Sequence, residues 1–312
     1  MATETDTAET ADGRTGQETA TATVGATGLL DHEQRERLYS RLLYLIAGLL
    51  LVFLWIPLTV MVFLSFARNA STLFPFEGFT VDHYFATFAD AGLMGALYNS
   101  VQVATLSATI ATVLGVLASL ALARRDFRFK QGFRTFGILP MIVPGVVLGI
   151  ALLIYFRTLL SGLPLVGDLF VPGFLTLVLT HSVYGFPFVL LIVSARLYTF
   201  DESLEEAARD LGAGPLETFK DVTFPVVAPA IGAGFLFAWI RSFEDFIRAF
   251  FVKGTMDVLT TAMFSMIKYG AAPKMNAISS FIVFLIAIVL AVAMNVGNVT
   301  EYVAAGGGDP DE

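Results

Sequence analysis

Two short charged runs interrupt an otherwise apolar chain, and they hold the residues whose types and spacing could do chemistry. The first is Leu204 to Pro225, LEEAARDLGAGPLETFKDVTFP, and the second is Arg241-Ser-Phe-Glu-Asp-Phe-Ile-Arg248. In the first run Glu206 offers a carboxylate to a basic residue of a partner, a charge-assisted contact. Ala207 and Ala208 beside it leave a low-relief surface that a partner can approach closely. In the second run Glu244 stands three residues from Arg241 and four from Arg248, while Asp245 stands four and three from the same two. On a helix these are ion-pairing distances, so the patch is able to neutralise itself.

Other chemistries are excluded by what the chain lacks. No G-x-x-x-x-G-K-[ST] phosphate loop occurs, so no nucleotide site of that kind is encoded. There is no cysteine, which removes disulfides and thiolate metal sites. His32, His83 and His181 are far apart in sequence, with no His-x-x-x-His pair. His181 alone falls in an apolar segment, where a hydrogen bond to a neighbouring helix is the usual role. We therefore expect no catalytic residues, no metal site and no cofactor bound by this chain. The net charge of −8 sits mostly in the termini and the first charged run, and it gives no reason to expect nucleic acid.

The elements that must position these runs are membrane spans. The 312 residues are 56% hydrophobic and 15% charged, with mean hydropathy +0.73, the composition of a polytopic membrane protein. A bilayer core of about 30 Å takes about 20 apolar helical residues. Six segments meet that length: residues 42–66, 97–123, 135–156, 174–195, 226–243 and 276–297. Pro57, Pro140, Pro144, Pro187 and Pro229 lie inside them and predict kinked or loosened helices. The loop from Arg124 to Arg134 carries Arg124, Arg125, Arg128, Lys130 and Arg134 against Asp126 alone. The positive-inside rule places that loop in the cytoplasm. Six spans then put both termini and the 196–225 loop on the same side. Residues 1–30 lack the basic start and apolar middle of a signal peptide and are expected to form a disordered cytoplasmic tail. Residues 31–41 are expected to form an interfacial helix, and 298–312 an acidic cytoplasmic tail.

Within the 196–225 loop, Ser203 and Glu206 have capping-box spacing and predict a helix from about Leu204. Gly212 is suited to stop it in the left-handed conformation. Pro215 fits the first position of a second short helix, which Pro225 is expected to end.

These residues resemble a known family. Glu206-Ala207-Ala208, three residues, Gly212, nine residues, Val222, one residue, Phe224, Pro225 is similar to the EAA loop of the membrane subunits of ATP-binding-cassette importers, E-A-A-x3-G-x9-I-x-L-P. Val and Phe replace the usual Ile and Leu. The resemblance implies an all-α integral membrane fold of six transmembrane helices, the type I importer permease. It implies that Glu206, Ala207, Ala208, Gly212 and Pro225 belong to a coupling surface for a cytoplasmic ATPase dimer, which binds the ATP and Mg. It also implies a second permease subunit, copy or homologue, an extracytoplasmic solute-binding protein, and residence in the plasma membrane.

The run SFEDF at Ser242 to Phe246, FVKG at Phe251 to Gly254, and MFSMIKYGAAPKMNAISS at Met263 to Ser280 resemble the second membrane subunit of spermidine/putrescine importers, over roughly residues 40–297. Polyamine import is the implied function, with permeases for iron, sulfate, thiamine or phosphonate as the alternative. A secondary transporter or a channel are the rival classes. For a polycation, Asp245, Glu244, Phe243 and Phe246 are the candidate pathway residues, since carboxylates compensate charge and aromatic faces attract ammonium groups by about 0.5–2 kcal/mol. In this reading Asp245 lines the outer part of the path, and Glu244 is held by Arg241 and Arg248.

Overall fold

The computed structural model describes residues 32–69, 76–270 and 272–296. The expected tails, 1–30 and 298–312, and the end of the sixth segment at Gly297 lie outside them. Every regular element among the described residues is helical, apart from one isolated antiparallel bridge between Ala67 and Phe79. Backbone contacts divide the chain into two compact units, Met1–Val60 and Met61–Glu312.

The first unit contains most of helix α1, His32–Phe66. The charged stretch before Leu42 was expected as an interfacial helix leading into the membrane. From His32 it forms the first turns of α1. Pro57 sits inside this helix.

The second unit runs through α2 (Asp82–Phe88), α3 (Ala91–Arg124), α4 (Lys130–Ile142), α5 (Gly145–Ile154), α6 (Phe174–Tyr198), α7 (Ser203–Asp210), α8 (Pro215–Thr218), α9 (Phe224–Phe243), α10 (Ile247–Val252), α11 (Leu259–Tyr269) and α12 (Ala272–Val296). Its centre is the packing of α3, α6 and α9 through Ala108, Ala111, Val189, Val193, Leu197, Val227 and Ala238. Small residues set how closely these helices approach, as expected where lipid removes the hydrophobic drive between helices. A Cβ added at Gly115 of α3 would lie 2.7 Å from Val189 Cβ of α6, so only glycine fits. Polar side chains fasten the same helices. Ser119 donates to the Leu190 carbonyl at 3.0 Å, and Ser107 donates to Ser242 at 2.9 Å.

Two expected spans take a different form. Residues 135–156 were expected as one span, but α4 and the helix from Gly145 to Leu160 meet at 105°. The reason is local: the helical region is disfavoured for a residue preceding proline, and Val143 is extended at φ −65°, ψ 130°, before Pro144. Pro225 was expected to end a helix, yet helix is continuous from Pro215 to Phe243. A π-turn at Phe219–Thr223 joins α8 to α9. The wider turn, in which Phe224 N–H donates to the Phe219 carbonyl, accommodates the missing Pro225 N–H within the continuous helix.

Among the described residues four helices are long and apolar enough to cross a bilayer, or five if the bent pair counts as one. The helix α12 takes the place of the sixth expected segment, with Pro273–Ile288 as its described apolar part.

Candidate functional site

The chain leaves α6 at Tyr198 and turns back at Asp201. The capping box expected from Ser203 is not formed. Instead Ser203 is the first helical residue of α7, and its N–H donates to the Asp201 carboxylate at 3.0 Å. The helix starts one residue earlier than expected, and the Glu206 N–H, from which the serine hydroxyl would have accepted, donates to the Glu202 carbonyl at 3.1 Å. Bonds from the Ser203 hydroxyl and N–H hold the Asp201 carboxyl below the usual carboxylate range. At the other end Gly212 is left-handed, at φ +93°. Gly212 N–H donates to the Arg209 carbonyl at 2.9 Å and Ala213 N–H to the Ala208 carbonyl at 3.0 Å, the paired closure of a Schellman turn. Pro215 opens α8 as expected, and Glu217 reaches back to accept from Gly214 N–H at 2.8 Å.

The hairpin presents two different faces. Leu204, Ala207, Ala208 and Leu211 recur at the spacing of one helical stripe. Leu204 is 49% exposed and Leu211 90%, and Leu216 across the turn is 77% exposed. Glu206, Ala207 and Gly212 are exposed, Ala208 is half-buried, and Pro225 is exposed one turn into α9. Ala207 and Ala208 lie in the stripe with the leucines, whereas Glu206, exposed, lies well around α7 from it, and Pro225 sits behind the π-turn. Sequence reasoning missed the leucines, although the intervals of three, four and seven were there to read.

The opposite face is tied down. Glu205 is only 8% exposed. Its Oε1 accepts from Arg124 Nη2 at 3.0 Å and from Thr223 Oγ1 at 2.7 Å. Arg124 Nη1 donates to Glu202 at 2.6 Å, and its guanidinium lies 5.2 Å from the Phe200 ring centroid. None of these was marked in the sequence, because Arg124 is 81 residues from Glu205.

The second charged run lies where α9 stops and α10 begins, so Glu244, Asp245 and Phe246 are not helical. That break re-sorts the pairing. Glu244 is exposed and ion-pairs with Arg241, whereas Arg248 donates to Asp245 at 3.1 Å. The expectation that Glu244 is held by both arginines is therefore corrected: only Arg241 reaches it. Asp245 is 8% exposed, and His181 Nε2 lies 3.6 Å from its second oxygen. His181 itself bonds Ser242 at 2.7 Å, the inter-helix role expected of a lone intramembrane histidine. Tyr184, which the sequence did not single out, gathers both arginines: Arg241 donates to its hydroxyl, and the Arg248 guanidinium lies 3.4 Å from its ring centroid. Phe243 stacks on Trp239 at 5.0 Å, and Phe246 packs on Phe264 at 4.8 Å.

The family profile for the binding-protein-dependent transport system inner membrane component matches residues 111–300, from within α3 through both charged runs. The chain belongs to this family. It is a multi-pass membrane permease subunit of an ABC importer. This permease is 34% identical over 252 residues to the putrescine transport system permease protein PotI of Escherichia coli (strain K12), covering 80% of this chain and 87% of that one. It is 32% identical over 234 residues to the spermidine/putrescine transport system permease protein PotC of Haemophilus influenzae, covering 75% and 87%. Its fold matches the crystal structure of a bacterial ABC transporter involved in the import of the acidic polysaccharide alginate, with TM-score 0.68 at 15% identity, covering 86% of this chain and 99% of that one. Among the described residues no cluster of three or more His, Asp or Glu could hold a metal ion.

Proposed function

We propose that the permease forms half of a translocation pathway for a polyamine and that the α7 hairpin docks on a cytoplasmic ATPase. The observation that carries the docking assignment is the exposed stripe Leu204, Ala207, Ala208, Leu211 with Leu216, on a helix whose other face is fastened to the body. Apolar side chains displayed in water on a rigid helix fit a partner groove, and the exposed Glu206 offers its carboxylate to a basic residue of the same partner. ATP and Mg belong to that partner. A second permease subunit completes the pathway, and an extracytoplasmic binding protein delivers the solute. ATP-driven closure of the ATPase dimer moves the hairpin and shifts the helices between outward-open and inward-open populations.

The polyamine assignment is supported by the putrescine and spermidine/putrescine permeases to which the chain is similar. It is also supported by Asp245 and Glu244 beside Phe243 and Phe246. One observation favours a second reading, an oxyanion such as sulfate or phosphonate: Arg241 and Arg248 converge on Tyr184 and balance both carboxylates.

In the proposed topology six spans place both termini, the Arg124–Arg134 loop and the hairpin in the cytoplasm. Since the chain has no cysteine, single replacements test this directly. Both Arg128 and Asp168 are exposed. Asp168→Cys is expected to react with a membrane-impermeant maleimide in intact cells, and Arg128→Cys only after lysis. Labelling of both in intact cells would overturn the arrangement.

A further inference from the structure

The hairpin has two adjacent glutamates with opposite surroundings. Glu206 is exposed, while Glu205 faces inward and is almost fully covered. A charge held at that depth needs partners, and those of Glu205 come from two different membrane helices. Arg124 is the last residue of α3, and Thr223 is the last residue of the π-turn that feeds α9. One carboxylate oxygen accepts from both, at 3.0 Å and 2.7 Å. The Arg124 guanidinium uses its second amine on Glu202, at 2.6 Å, so its planar fork grips both ends of the first turn of α7. Lysine, a point donor, could not hold that geometry. Arg209, one turn on, sets its Nη2 3.9 Å from the other oxygen of Glu205.

We propose that Glu205 is the positioning residue that transmits movement of α7 into the membrane, through Arg124 to α3 and through Thr223 to α9. This rests on α7 being the docking helix. The two glutamates then divide the work: Glu206 contacts the ATPase and Glu205 carries the displacement inward. The route is physical at each step. The helices α3 and α9 pack on each other and on α6 through their small residues, so a pull on both moves the centre of the unit. The π-turn places the Thr223 hydroxyl on the carboxylate; in a regular helix from Pro215 its side chain would be rotated away. Without the Glu205 bonds, α7 stays joined to the body by the chain on either side and by the remaining Arg124–Glu202 pair. A partner could then still bind the stripe while its movement was lost in the loops.

The test uses the full transporter, with ATPase, second permease subunit and binding protein, in proteoliposomes. Solute moved per ATP hydrolysed is measured alongside recovery of the ATPase with the permease. Glu205→Gln keeps the volume and removes the charge. We expect it to retain the ATPase at wild-type level, to continue hydrolysing ATP, and to move about tenfold less solute per ATP, within the usual range of coupling between sites. Arg124→Gln is expected to give the same loss of coupling, and the double variant to be no worse than either single one, because both cut one linkage. Glu206→Lys, run in parallel, tests the docking face itself through loss of the ATPase, so failure of that assignment and failure of the linkage give different patterns. If Glu205→Gln does not insert, Thr223→Val, which keeps every charge, carries the test and is expected to lower solute per ATP in the same direction. A wild-type ratio in the inserted variant, or losses in Glu205→Gln and Arg124→Gln that multiply, would overturn the proposal.

Discussion

Glu206→Lys and Gly212→Arg are each expected to abolish uptake while leaving the permease in the membrane. Neither residue contributes to the core. Glu206 is exposed, and a Cβ added at Gly212 meets nothing within 4 Å. Their effect must therefore arise at the exposed surface of the hairpin. Reversing a charge opposite a basic partner residue costs about 2–5 kcal/mol when the pair is buried by docking, enough to empty the interface at cellular concentrations. At Gly212 a side chain is penalised twice. The left-handed backbone costs a non-glycine residue about 1–2 kcal/mol, and the arginine projects into the space the partner must occupy. Uptake and ATPase recovery at wild-type levels in both variants would remove the hairpin from the coupling interface.

The second large effect is expected at Asp245. Replacing it by asparagine leaves Arg248 buried without its counter-charge, a change that costs about 3–5 kcal/mol. Asp245→Asn alone should therefore lower both the amount of folded permease and transport. The double variant Asp245→Asn with Arg248→Gln separates the two contributions, because it removes the pair rather than half of it. Folding is expected to recover in the double variant. If the carboxylate also serves a passing polycation, putrescine uptake in reconstituted vesicles stays low. Recovery of uptake together with folding would reduce the pair to a structural role. Transport of an oxyanion by the wild type, with the cognate binding protein holding an anion, would favour the second reading.

Much of this was legible in the chain because the signals were local. Gly212 is left-handed and Pro215 opens a helix, as their backbone chemistry requires. The fourth and fifth apolar segments became helices within a few residues of their expected ends, at Phe174–Tyr198 and Phe224–Phe243. What failed was the reading of competing local signals. Ser203 became the first helical residue rather than the cap, because the Glu206 N–H from which it would have accepted bonds the Glu202 carbonyl instead. Pro225 was read as a stop, but a π-turn can absorb its missing N–H. The bend at Val143–Pro144 was anticipated as a kink and proved to be 105°, since the proline restricts its predecessor as well as itself. What could not be read was long-range. The grip of Arg124 on Glu205 and the meeting of two arginines on Tyr184 depend on helices brought together from far along the sequence. No spacing rule within one segment encodes them.

Docking of the α7 hairpin on the ATPase is most directly probed at Leu211. At 90% exposure its side chain contributes almost nothing to the fold, so Leu211→Cys places a unique thiol at the tip of the stripe without disturbing what lies behind. The measurement is maleimide labelling of that thiol in inverted membrane vesicles, with and without the co-expressed ATPase subunit. Rapid labelling is expected of the permease alone and strong protection when the ATPase is present, with a short bifunctional reagent joining the two chains. Equal labelling under both conditions, with no cross-link to an ATPase that is present in the same complex, would contradict the docking.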